Sequence, residues 1–74
     1  MDKPEFYQRL AEILDVEEVK PENTLKDFEG WDSLAVLSLL AMADSKYGAS
    51  VKAEEVRAAV TASDLAALVE SKRK

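Results

Sequence analysis

Ser33 is the hydroxyl in this chain whose neighbours equip it for chemistry. It stands in Gly30-Trp31-Asp32-Ser33-Leu34, after an acid and at the head of the apolar run from Ala35 to Ala43. Asp32 has a short side chain that can accept a hydrogen bond from the free N–H groups of a first helical turn, and Gly30 lets the preceding loop bend without steric cost. Ser33 is therefore expected at a helix start, exposed. A serine hydroxyl becomes a nucleophile only beside a base. The 74 residues contain no histidine and no cysteine, which removes the usual base near neutral pH, any thiol nucleophile, any disulfide and any Cys/His metal site. Chemistry at Ser33 is thus expected to be performed on the protein and not by it, and an enzyme is the weakest reading of the chain.

The elements that must hold Ser33 follow from spacing. Pro4 suits the first turn of a helix, flanked by Asp2 or Lys3. Phe6, Leu10, Ile13 and Leu14, with Tyr7 and Ala11 beside them, then form one apolar stripe that stops near Asp15. Residues 16 to 32 carry no sustained period. Pro21 and Asn23-Thr24 are turn chemistry, and Val19, Leu25 and Phe28 are scattered apolar residues of a long loop with room for a short helical turn. A second helix is predicted from Ser33 to Lys46, apolar nearly all round, with Gly48 as its stop. No helix in so small a domain can be wrapped completely, so part of this one is expected to face a partner. A short third segment from Ala53 to Ala59 has Val56 and Val60 facing inward. Thr61 and Asp64 make a capping-box pattern before a last helix with the stripe Leu65, Leu68 and Val69, running to about Ser71. The expected fold is all-α, a four-helix bundle with a long first loop and a short third helix, in one domain over residues 1–74.

Composition narrows the partners. Residues 1 to 71 carry 7 basic against 15 acidic side chains, so the body is near −8, and the basic end Lys72-Arg73-Lys74 either complements the last helix's C-terminus or, as the preferred reading, is a solvated end. That charge repels nucleic acid and anionic lipid and favours basic protein surfaces. The apolar run from Leu34 to Ala43, interrupted by Ser38, is half of what a membrane span needs, and the first residues lack a signal peptide's apolar core. A cytoplasmic protein is expected.

The whole order of helix, long loop with Pro21 and Thr24-Leu25, Asp32-Ser33-Leu34 motif, helix ending at Tyr47-Gly48, short acidic segment and last helix entered through Thr61 resembles the acyl carrier proteins. The resemblance implies a monomeric carrier whose Ser33 receives 4'-phosphopantetheine from coenzyme A, with a cargo held as a thioester on the arm's terminal thiol. A phosphopantetheinyl transferase would supply the base and a magnesium ion, and Asp32, matching the family's acid, would position that metal or cap the helix. A helix start favours the phosphate's charge. Ligases or synthases of a specialised lipid, polyketide or surface-polysaccharide pathway would be the further partners.

Two features depart from the fatty-acid type. Where the family carries acids along its second helix, this chain has Ala35, Ser38, Ala41, Asp44 and Ser45, of which Asp44 alone is acidic. Partners are therefore expected to read apolar contacts around Leu34, Leu37, Ala41 and Met42, while Glu54 and Glu55 keep part of the steering. Trp31 is the other departure, expected to pack on the loop rather than to shield the phosphodiester. Leu39, Ala43, Val51, Val56 and Leu65 are expected to be core, and would line the interior if it opened to an acyl chain. Competing readings are an aminoacyl or peptidyl carrier, against which Gly30-Trp31-Asp32-Ser33 fits the acyl type better, and an unmodified helical interaction module.

Overall fold

In a computed structural model, which describes residues 1–73, four α-helices and one 3-10 turn follow one another. Helix α1 spans Lys3–Leu14, a 3-10 turn covers Leu25–Asp27, α2 spans Ser33–Tyr47, α3 Ala53–Ala58 and α4 Ala62–Lys72. Lys74, the last residue of the basic end, lies outside the described residues.

Each helix end has a local cause. Asp2 caps α1, its carboxylate accepting from the Glu5 N–H at 3.2 Å, with Pro4 in the first turn. At the other end Asp15 adopts the left-handed conformation and the Val16 N–H donates back to the Ala11 carbonyl at 2.9 Å, closing the helix. Gly48 does the same for α2 at φ 62°, with the Ala49 N–H on the Ala43 carbonyl at 3.0 Å. Thr61 and Asp64 form the reciprocal capping box of α4, each side chain accepting from the other's backbone N–H at 3.1 Å.

The helices form a ring in which α1 packs on α2 and α4, and α3 on the same two neighbours. Phe6, Leu10, Leu25, Leu39, Val56, Leu65 and Val69 are fully buried in one core, joined by Val19 from the long loop. As expected, Phe28 and Trp31 pack against that core, half-buried. The loop is pinned rather than merely draped. The Leu25 N–H donates to the Val60 carbonyl, the Ala62 N–H to Asn23 and the Ser63 N–H to Pro21, each at 2.9 Å. Of the five expected interior residues, Leu39, Ala43, Val56 and Leu65 are fully buried, while Val51 is half-exposed.

Two expectations are corrected here. Val60 does not face inward. Helix α3 ends at Ala58, and Thr61 pairs with Thr24 in an isolated antiparallel bridge, so residues 59–61 are extended and their side chains alternate. Ala59 and Thr61 turn toward the protein and Val60 turns out, 59% exposed. Nor is the basic end simply solvated. Lys72 reaches Glu55 of α3 at 3.1 Å, Arg73 reaches Glu70 at 3.1 Å, and Arg73 pairs through its backbone with Ala49 after α2.

Candidate functional site

Ser33 is the first residue of α2 and is exposed. Asp32 before it is extended, and its Oδ1 accepts from the Ala35 N–H at 2.9 Å while its carbonyl accepts from the Val36 N–H at 3.0 Å. No acid lies within the first turn, so the positive end of the α2 dipole is balanced by Asp32 alone. A hydroxyl there is accessible to another enzyme and sits where an added phosphate is electrostatically favoured. Among the described residues no group of three or more His, Cys, Asp or Glu side chains is gathered to hold a metal ion.

Gly30 sets the angle at which the chain enters this corner. A Cβ there would lie 2.8 Å from the Leu14 carbonyl oxygen at the end of α1. Real Cβ atoms do not approach that closely, so glycine is required by contact with α1 rather than for the bend. The Trp31 N–H then donates to the Phe28 carbonyl at 3.1 Å, and α2 begins two residues later.

The predicted partner residues divide. Leu34 is 73% and Leu37 60% exposed, and Ser38, Ala41, Asp44 and Ser45 are exposed along the same helix, with Met42 half-buried. Ala35 is corrected: it is 4% exposed, because it continues the buried line of Leu39 and Ala43 at four-residue intervals and faces α1 and the core. Glu54 is exposed, but Glu55 is already engaged. Its carboxylate accepts from the Lys52 N–H at 3.0 Å and pairs with Lys72, which holds it below the usual carboxylate range, the backbone hydrogen bond contributing most. Val60 is the exposed apolar residue that periodicity missed. The capping box pointed to it: an N-cap at Thr61 puts Val60 outside any helix.

A groove of about 800 Å³ lies elsewhere, between α1 and the loop, with Tyr7, Ala11, Val19 and Pro21 on its walls. Neither Ser33 nor any predicted partner residue lines it.

With this geometry in view, the comparison with protein families is decisive. The model of the phosphopantetheine attachment site matches residues 5–69. The chain belongs to that carrier-protein family. Comparison with curated proteins and with solved structures returned no match. The match reaches into all four helices and is not confined to the serine motif. Membership establishes 4'-phosphopantetheine as the prosthetic group of this carrier domain, and phosphopantetheinyl transferases and pathway enzymes as its general partners. The chain's own chemistry fits the group: it has no thiol of its own, and it presents an exposed hydroxyl at a helix start whose only acid is the cap Asp32. No helix among the described residues is long and apolar enough to cross a membrane.

Proposed function

We propose that Ser33 is the attachment residue and that this domain is an acyl carrier serving a specialised lipid, polyketide or surface-polysaccharide pathway. The observation that carries the site is the exposure of Ser33 on the first residue of a helix capped by Asp32. Once attached, the arm supplies the thiol that holds the cargo as a thioester. The chain's own residues hold and present it. Asp32 fixes the first turn, Gly30 seats the loop on α1, and α2 gives the linkage a rigid base from which a tethered cargo reaches successive enzymes at high local concentration. With no histidine or cysteine in the chain, base catalysis of the attachment falls to the transferase.

The specialised assignment is supported by the uncharged face of α2. From Ser33 to Ala43 there is no charged residue, and Leu34, Leu37 and Ala41 are exposed on it. Exposed charge pairs contribute about 1 kcal/mol or less each. Along α2 and α3 a partner built to meet several acids would find only Asp44 and Glu54 free of an ion pair, so a dedicated ligase or synthase with an apolar docking surface fits better. Gly30-Trp31-Asp32-Ser33 favours an acyl over an aminoacyl cargo.

The test is intact mass after incubation with coenzyme A, magnesium and a broad-specificity phosphopantetheinyl transferase. Gain of one phosphopantetheine by the parent and none by Ser33→Ala is expected. A folded parent that gains nothing with several transferases returns the chain to an unmodified interaction module. Loading of the holo-protein by acyl-activating but not by amino-acid-activating enzymes decides the cargo class.

A further inference from the structure

Among the described residues, the large apolar side chains left exposed are Val16, Leu34, Leu37 and Val60. Helix α4 finishes beside the residue that follows α2, since Arg73 pairs with Ala49, and the Phe6 and Tyr47 rings, 6.2 Å between centroids, place the start of α1 at that same end. The opposite end therefore holds the start of α2, the end of α1 and the start of α4. There Gly30 meets Leu14, Thr24 pairs with Thr61, and the Val60 carbonyl accepts from Leu25, eight residues before Ser33. Val60 and Ser33 share this end although they are 27 positions apart in the chain.

We infer that the transferase surface that covers Ser33 also covers Val60, which is a specificity contact of the carrier read by apolar burial. This rests on Ser33 being the attachment residue. The enzyme must reach the Ser33 oxygen, and a standard protein interface takes about 800 Å² from each partner. The protein measures 30 × 23 × 18 Å, so a footprint of that size centred on Ser33 spans most of the end that carries Val60. Charge selects the same chemistry for the occupant. The stretches from Ser33 to Ala43 and from Ala58 to Ser63 carry no charged residue, with the exposed acids Asp32 and Asp64 only at their edges. The partner that fits here carries apolar side chains facing Leu34, Leu37 and Val60.

The experiment compares kcat/KM for arm transfer to the parent, Val60→Asp, Val60→Ala, Val60→Leu and Ser50→Asp, the last adding the same charge at the far end. Helical circular dichroism and thermal unfolding establish that each folds, which exposure of Val60 and retention of its carbonyl bond to Leu25 favour. Val60→Ala is expected to lower kcat/KM about tenfold and Val60→Asp further, with Val60→Leu and Ser50→Asp near the parent. Parental rates for Val60→Ala and Val60→Asp would overturn the inference while leaving Ser33 loaded. If those rates are parental and sedimentation shows Val60→Asp abolishing a parental dimer, the occupant is a second copy and the inference again fails. Loss of transfer in the parent as well as in Ser33→Ala would instead mark failure of the attachment reading.

Discussion

At the residue scale, three positions separate roles that one side chain combines. Asp32 caps α2 and is proposed to meet the transferase's metal. Asp32→Ala is expected to cost about 1 kcal/mol in urea unfolding. Asp32→Asn keeps a capping oxygen, so its unfolding midpoint should stay near the parent while arm transfer slows; transfer at the parental rate would leave Asp32 a cap only. Gly30→Ala forces a Cβ against the Leu14 carbonyl, backbone against backbone, and should destabilise by about 1–3 kcal/mol without loss of helical signal in the folded state. Tyr47 is the opposite case. Its hydroxyl is buried without a hydrogen-bond partner, and burial raises its pKa above 10.0, with Glu5 adding to the rise. A raised phenol pKa means stability that is complete below pH 10 and is lost as pH rises through the folded value. Tyr47→Phe should therefore be neutral or stabilising, by about 1 kcal/mol, and should flatten the alkaline limb of a thermal-midpoint profile.

At the element scale, α3 depends most on its neighbours. It has six residues, one of them fully buried, and is too short to be stable by propensity. Glu55 holds it twice, to the Lys52 N–H and to Lys72 of α4. Asp64 and Glu70 are likewise held below their ordinary values, Asp64 chiefly by the Thr61 N–H and Glu70 chiefly by the Arg73 side chain. A depressed carboxylate contributes stability that is present above the ordinary carboxylate range and is lost as pH falls through the folded value. The thermal midpoint should accordingly be level near neutrality and fall through the acid carboxylate range. Glu55→Gln should show a shallower fall, and hydrogen exchange in α3 should rise while that of α1 stays unchanged.

At the scale of the whole molecule, charge is kept off the first three turns of α2. The acids that give the body its charge are spread over α1, the loop, α3 and α4, whereas the helix that opens at Ser33 carries none before Asp44. Long-range attraction can speed encounter with a basic enzyme, but the docked contact has little charge to screen. Arm transfer is therefore expected to slow by no more than a few-fold between about 50 mM and about 500 mM salt. A steep loss would instead assign docking to Glu54, Asp44 and the acids of the loop.

Much of this protein is legible in order of residues because its signals are local. Asp2, Gly48 and the Thr61–Asp64 box mark helix ends through bonds spanning three to six residues, and the Phe6–Leu14 stripe marks a buried face by its period. The four-helix plan follows from these, while the long loop with its short turn was carried by the resemblance to the family. Other features depended on residues far apart in sequence. That Ala35 is buried while Leu34 and Leu37 are bare was hidden because α2 is apolar nearly all round, leaving no polar stripe to mark its outer side; packing against α1 and α3 chose the side. That Glu55 is occupied by Lys72, that Gly30 is pressed on Leu14, and that Val60 shares an end with Ser33 all arise from closure of the ring of helices. Periodicity reports which face of an element prefers burial, but only tertiary contact decides which neighbour it meets and what remains outside.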